Sequence, residues 1–421
     1  MRRAGLLLLC GCAFAQTRLS LPEAEAMAVK NHPAVSAALL TALAANQVTT
    51  EARSAYFPAV IGSFTGAGAL TGTRLAAGSL NNPIIYDRAA SGITIGQVIT
   101  DFGRTSNLTA SARERAQAQQ DNAQVVRAQV LLQVDRAYFT ALRTQNVLTV
   151  AQQTVNARQL VADQVAALAA SKLKSGLDVS FANVNLSEAK LLLASAQNDA
   201  AAAMAELSTA LGYAAPQSFR LEEAPLPSGL THDVAALIDE ARKNRPELAQ
   251  LRAEQSAADS YARAQRALSF PTVSALAGVG VVPARDDAQL RGRYGAVGLN
   301  ISVPVFNGHL FSALRTEADL RAQAAQKDEA DLENRVARDV QVAWLNAQTA
   351  HDRMGLTGEL MKQANDALDL AQTRYNLQLS SIVELSQAQL NQTAAEIAST
   401  SARYDYQLQR SVLAYQLGEL R

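Results

Sequence analysis

Cysteine is almost missing from this chain. Only Cys10 and Cys12 occur in 421 residues, and both fall in its first few positions. Those positions read as an export leader: Met1-Arg2-Arg3, an apolar run around Leu6 to Leu9, then Ala13-Phe14-Ala15 before Gln16. Cleavage after Ala15 would leave a mature chain with no disulfide and no thiol chemistry. A second reading of the same residues puts a lipid on Cys12 of Leu9-Cys10-Gly11-Cys12. Long apolar runs are also missing. No segment holds eighteen consecutive apolar residues, so an exported protein of this sequence could enter a membrane only as a β-barrel. An excess of either charge is lacking too, with 38 basic and 38 acidic residues. Losing Arg2 and Arg3 with the leader leaves 36 against 38, a net charge of −2. No basic stripe is visible, which argues against nucleic acid as a partner. His32, His232, His309 and His351 are scattered without metal-ligand spacing. Neither a nucleotide loop nor a nucleophile elbow is present, so no cofactor, metal or catalytic residue is expected. Aromatics make up only 5%, while small and amide residues abound, a composition suited to long helices with narrow seams.

What is present is a repeat. Lys30-Asn31-His32-Pro33 recurs as Lys243-Asn244-Arg245-Pro246, and Phe57-Pro58 recurs as Phe270-Pro271 at the same offset. Farther on, Leu108, Arg115, Val130, Val134, Ala141, Ser180, Leu211 and Gly212 meet Leu314, Arg321, Val336, Val340, Ala347, Ser386, Leu417 and Gly418. The chain is therefore expected to use one structural unit twice. Its divisions are a leader over 1–15, a first repeat over 16–213, a linker over 214–229 and a second repeat over 230–421.

Each repeat opens with a short helix and a second one. Ser20-Leu21-Pro22-Glu23 is a capping box, and Pro33 stops the first helix near Asn31. A β-hairpin is expected over about 57–100 and again over about 271–305, around polar stretches such as Thr71 to Arg88. In the first, Ile93, Ile95, Gln97 and Ile99 alternate with Thr94, Gly96, Val98 and Thr100. In the second, Val273, Ala275, Ala277, Val279 and Val281 share one face, as do Val297, Leu299, Ile301, Val303 and Val305. Such alternation suits strands with lipid on one side and a polar lumen on the other. It also suits an ordinary hairpin packed on helices. Gly turns follow at Asp101-Phe102-Gly103 and Phe306-Asn307-Gly308, and then come coiled-coil hairpins over about 104–212 and 309–418. Residues 105–172 lack Pro and Gly, which predicts a rod of about 100 Å. Val130, Val134, Ala137, Ala141 and Leu148 mark its seam. Ser175-Gly176-Leu177 is read as the turn that reverses the chain. Four strands per chain cannot close a barrel, so oligomerisation is required. Three copies would supply twelve strands.

At Asn31-His32-Pro33, Asp101-Phe102-Gly103, Tyr375-Asn376-Leu377, Ile382-Val383-Glu384-Leu385 and Ala402-Arg403-Tyr404-Asp405-Tyr406 the chain resembles the TolC-type outer membrane efflux proteins. The resemblance implies a mainly α fold with membrane β. An internally duplicated chain would form a trimeric 12-stranded β-barrel, continued by a long periplasmic α-helical barrel. It further implies an outer-membrane duct of a tripartite efflux pump or type I secretion system. Its partners would be outer-membrane lipid, a periplasmic adaptor (a membrane fusion protein) and an inner-membrane transporter that supplies the energy. The family's gate lies at the coiled-coil tips. Asp178 and Tyr375 match tip positions that help hold it closed. Ser380 stands in place of the arginine that would pair with them, with Arg374, Lys172 or Lys174 nearby. Glu384 matches the first acid of a lumenal ring, and Gln387 replaces the second. Ser175, Gly176, Leu177, Leu379 and Ser381 are the implied adaptor-contacting tips.

Blander roles stand beside these. Asp178 and Glu384 also suit helix N-termini, and Tyr375 suits coiled-coil packing. A periplasmic coiled-coil scaffold or adaptor without a pore is the competing reading of the whole chain.

Overall fold

The structure is a computed structural model that describes residues 17–68, 70, 87–226, 229–230, 233–285 and 291–420. The leader over 1–15, with Cys10 and Cys12, lies outside the described residues, as do Asn81-Asn82-Pro83 and His232. The chain divides into two compact units. One comprises Leu39–Asn122 and Glu247–Leu332. The other comprises the described residues up to Ala38, together with Ala123–Pro246 and Glu333 onward.

The first of these units holds a four-stranded antiparallel sheet. Its strands are β2 (Ala59–Ala67), β3 (Arg88–Thr100), β5 (Thr272–Arg285) and β6 (Arg293–Ser302), in the order β2-β3-β5-β6. The central pairing of β3 with β5 joins two hairpins that the sequence separates by 171 residues. Register carries the argument about faces. Val60 stands opposite Ile95, Ile95 opposite Ala277, and Ala277 opposite Val297. Gln97, Ala275 and Leu299 form the next column. Opposed residues share a face, so Val60, Phe64, Ile93, Ile95, Ala277, Val279, Val297, Leu299 and Ile301 lie on one side. Ser63, Thr65, Thr94, Ser274 and Asn300 lie on the other. Ile99 departs from the expected alternation, because the register slips between Val98 and Thr100 and leaves it unpaired. β6 also stops at Ser302, before Pro304, so Val303 and Val305 fall outside the strand.

Alanine lets the helices of this unit approach closely. Ala112 and Ala116 of α3 (Arg104–Ala170), Ala253, Ala257, Ala262 and Ala264 of α6 (Pro246–Arg266), and Ala318 of α7 (Leu310–Asn376) are buried. An alanine methyl contributes under about 1 kcal/mol on burial, so polar links supplement the seam. Ser111 Oγ donates to the Ala257 carbonyl at 2.8 Å, and Arg266 pairs with Asp319 at 2.9 Å. Part of α2 (Pro33–Ser54) completes the unit.

The second unit contains α1 (Leu21–Asn31), α4 (Gly176–Ala210), α5 (Val234–Asn244), α8 (Ile382–Leu417) and the remaining parts of α3 and α7. Helices α3 and α7 each run 67 residues, about 100 Å at 1.5 Å per residue. The expected seam is real: Val130, Val134, Ala137 and Ala141 are buried with Ala203, Leu207 and Leu211 of the α4 end, while Leu148 is only half-buried. Two short strands were not legible in the sequence. β1 (Thr17–Leu19) pairs in parallel with β4 (Phe219–Leu221), inside the stretch read as a linker. Tyr138 of α3 holds them, its hydroxyl lying 2.9 Å from the Leu19 carbonyl and 2.7 Å from that of Glu222.

The repeated Asn-x-Pro and Leu-Gly motifs meet in space. α4 ends at Gly212, with φ +85°, and the backbone of Asn31 lies where a Cβ would go, at 2.9 Å. α8 ends at Gly418, φ +76°, against the backbone of Asn244 at 2.8 Å. Both glycines serve left-handed caps, and both are pressed by the end of a short helix.

Candidate functional site

The two turns between long helices, after Ala170 and after Asn376, carry or flank every site residue named above. They have the same construction. Lys172 and Gln378 take left-handed backbone, φ 60° and 59°. Leu173 N–H reaches the Leu168 carbonyl and Lys172 N–H that of Ala169. Leu379 likewise reaches Arg374, and Gln378 reaches Tyr375. This is the glycine-type helix ending made without glycine, at a cost of about 1–2 kcal/mol per site. Gly176 is not the reversing residue that its composition suggested. It is the first residue of α4, and Lys172 supplies the turn.

Two serines then start the return helices. Ser175 Oγ accepts from Asp178 N–H at 3.2 Å, and Asp178 Oδ2 accepts from Ser175 N–H and Oγ at 3.0 and 2.8 Å. These bonds, the backbone one first, hold the Asp178 carboxyl below the usual carboxylate range. Ser381 Oγ accepts from Glu384 N–H at 3.4 Å. The Glu384 carboxylate, however, turns to Arg374 of α7, at 3.2 Å. The two first-turn acids therefore act differently: one closes its own cap, and the other bridges α8 to α7.

Tyr375 sits where the two helical hairpins meet. It is buried with Ala162 and Val165 of α3, Ala182 and Leu186 of α4, and Ile382 and Leu385 of α8. Its hydroxyl has no hydrogen-bond partner. Burial raises its pKa, and the Asp178 charge adds to the effect. Lys174 lies over the ring, with its ammonium nitrogen 4.1 Å from the centroid. So of the three basic residues near the missing arginine, Lys174 meets Tyr375 and Arg374 meets Glu384. Ser380 Oγ is buried without a partner. Gln387 lies farther along α8, exposed and bonded to Asn391 at 3.0 Å. A link absent from the sequence reading is Asn185 of α4 donating to Ser386 Oγ of α8 at 2.6 Å. Ser386 was visible as a repeat position, but nothing in its spacing pointed to Asn185. Leu173, Leu177, Leu377, Leu379 and Val383 are each more than half exposed around these turns.

The family model for outer membrane efflux proteins matches residues 26–213 and again 237–419. The chain belongs to the outer membrane efflux protein family. It is similar to outer membrane protein TolC of Escherichia coli (strain K12), 23% identical over 354 residues, covering 80% of this chain and 71% of that one. Similarity to protein CyaE of Bordetella pertussis is 27% over 330 residues, covering 75% and 66%. Among solved structures, the Campylobacter jejuni CmeC outer membrane channel superposes with a TM-score of 0.80 at 14% identity, covering 94% of this chain and 85% of that one. The fold is thus that of the family's channels. Among the described residues no helix is long and apolar enough to cross a membrane, and no acid, histidine or cysteine cluster could hold a metal.

Proposed function

We propose that this family member is a passive exit duct in the outer membrane, part of a tripartite efflux pump or type I secretion system. One observation carries the reading: among the described residues, an open sheet with an apolar face ends in two unpaired edges, β2 and β6. Residues of β6 such as Val297 and Leu299 are 85% and 75% exposed. Free strand edges are not tolerated in lipid, and strands of nine to fourteen residues are long enough to span. Pairing β2 with β6 of another copy removes every edge once the ring closes. Three copies give twelve strands, and the doubled motif makes each copy two similar units, over 16–213 and 230–421. The long helices then continue the barrel as a periplasmic tube.

The gate in this reading is the pair of helical turns. Lys174 on Tyr375 joins the two hairpins and Arg374 on Glu384 ties α7 to α8, with Asp178 fixing the first turn and Ser380 and Gln387 near the second. Three copies of Glu384, with Gln387 beside it, give a ring of three carboxylates. Ser175, Gly176, Leu177, Leu379 and Ser381 would meet a periplasmic adaptor, and the exposed leucines support an apolar docking contact. The adaptor links the duct to an inner-membrane transporter, which provides the energy.

The test is extraction of membranes in detergent, with size measured by light scattering and by electrophoresis before and after heating. A heat-sensitive trimer that forms single channels in planar bilayers supports the duct. A monomer released by salt alone would overturn it and favour a periplasmic scaffold.

A further inference from the structure

We propose that the cavity bounded by α1, α3, the segment after β4 and α8 is a binding site for an amphipathic organic cation: an ammonium or amidinium group carried on an apolar body. The cavity measures about 560 Å³, within the range that holds a drug-sized molecule. Two acceptor oxygens on its walls have no donor. Asp135 is 1% exposed, and its Oδ1 bonds to nothing. Gln407 is 3% exposed; its amide nitrogen donates to the Ala224 carbonyl at 2.9 Å, which fixes its orientation and leaves Oε1 unpartnered. Buried acceptors without donors are unfavourable, and a ligand rich in N–H groups corrects both.

The charges around the cavity choose the sign of that ligand. Glu25 faces it from α1, Asp135 from α3, Glu222 and Glu223 from the segment after β4, and Arg410 from α8. Glu223 is already held by Arg403 at 2.7 Å. The remaining three carboxyls still outnumber the single guanidinium, so a cation is favoured and an anion is not. The apolar part of the ligand has Phe139, Leu21 and Ala414 to cover it.

Proton and ligand compete for one carboxylate. Burial is the main cause that pushes the Asp135 carboxyl up to about 7, Ser411 opposes it by hydrogen bonding, and neighbouring Glu25 adds to it. A bound cation favours the ionised form. Below that pH the affinity should fall about tenfold per unit, and above it the affinity should level off.

The probe is DAPI, a fluorescent planar aryl body carrying amidinium groups, titrated against the full-length protein in detergent and followed by fluorescence anisotropy between pH 5.5 and 8.5. One saturable site per chain is expected, up to about tenfold tighter at pH 8 than at pH 6. Asp135→Asn should lose at least tenfold and should lose the pH dependence. Ala414→Trp fills the cavity while keeping the carboxylate and should abolish binding; it decides the matter if Asp135→Asn does not fold. The proposal is overturned if the wild-type chain shows no saturable binding, or if either folded variant binds as it does. The site lies within one unit, so a chain that forms no pore should still bind the probe.

Discussion

The ammonium of Lys174 lies 4.1 Å from the centre of the Tyr375 ring, so a residue in the turn of one helical hairpin clasps a residue near the end of the other. A contact of this kind contributes roughly 0.5–1 kcal/mol where exposed and more where desolvated. In the proposed gate, Lys174→Gln should raise open probability in planar bilayers about two- to fivefold. Tyr375→Phe should leave gating within about twofold of wild type, because the hydroxyl it removes bonds to nothing. Tyr375→Ala removes the buried ring and should cost about 3–5 kcal/mol of stability. If Tyr375→Phe opened the channel as strongly as Lys174→Gln, the hydroxyl and not the ring would hold the tip.

Glu384 shares its charge with Arg374 at 3.2 Å. In the proposed trimer, Glu384→Gln removes a ring of three carboxylates and should reduce cation selectivity. Arg374→Gln frees those carboxylates and should increase it. Reversal potentials in a salt gradient separate the two. Movement of both variants in the same direction would exclude Glu384 from the conduction path.

The first long helix was legible because proline and glycine are missing from its interior, whereas α7 runs through Gly355 and Gly358; the sheet was legible because apolar residues alternate. The register puts Ile93, Ile95, Val297, Leu299 and Ile301 on one face but leaves out Ile99, Val303 and Val305. β1 and β4 could not be read. Three residues are too few to show alternation, and Thr17 pairs with Phe219 from the far side of the whole first repeat. At the tips, sequence position put Tyr375 and Glu384 beside the second turn, but side-chain direction decides what they touch. No spacing rule tells that Asp178 turns back to Ser175 while Glu384 reaches α7. Asp135 was missed because an acid on a long polar helix reads as solvated. Only packing against α1 and α8 buries it.

Gly212 and Gly418 combine positive φ with a backbone neighbour where a side chain would begin. Alanine at either position should cost at least about 1–2 kcal/mol from the conformation alone, plus the shift needed to clear Asn31 or Asn244. Thermal unfolding of the detergent-purified variants should show both destabilised by similar amounts. Gly176→Ala should be neutral or slightly stabilising, since Gly176 is the first residue of a helix and a methyl group there would meet open space. A destabilised Gly176→Ala would contradict the geometry of the turn.

Asp135 binds its proton more tightly folded than unfolded, because burial raises its pKa from the ordinary 3.8. Its effect on stability is therefore most favourable at low pH and is lost as pH rises from about 4 to about 7. Asp135→Asn keeps a neutral side chain throughout. Relative to wild type it should raise Tm most at pH 8, by less at pH 5, and change it little below pH 4. An equal shift at pH 8 and below pH 4 would mean that ionisation of this carboxyl is not what opposes folding.

Leu299 and Ala296 test the faces of the sheet. Leu299 stands in the column of Ala275 and Gln97, on the side that carries Val297 and Ile301. Ala296 pairs with Gly278, on the opposite side. If the apolar side meets lipid, Leu299→Lys brings a charge into hydrocarbon at a cost of up to about 2–4 kcal/mol, depending on depth. Ala296→Lys would place the same charge in a watery lumen at little cost. Trimer recovered from outer membranes should fall for the first variant and hold for the second. The second variant should also lower cation conductance. Equal loss for both would mean that the sheet is covered on both sides by protein, which a barrel in lipid does not allow.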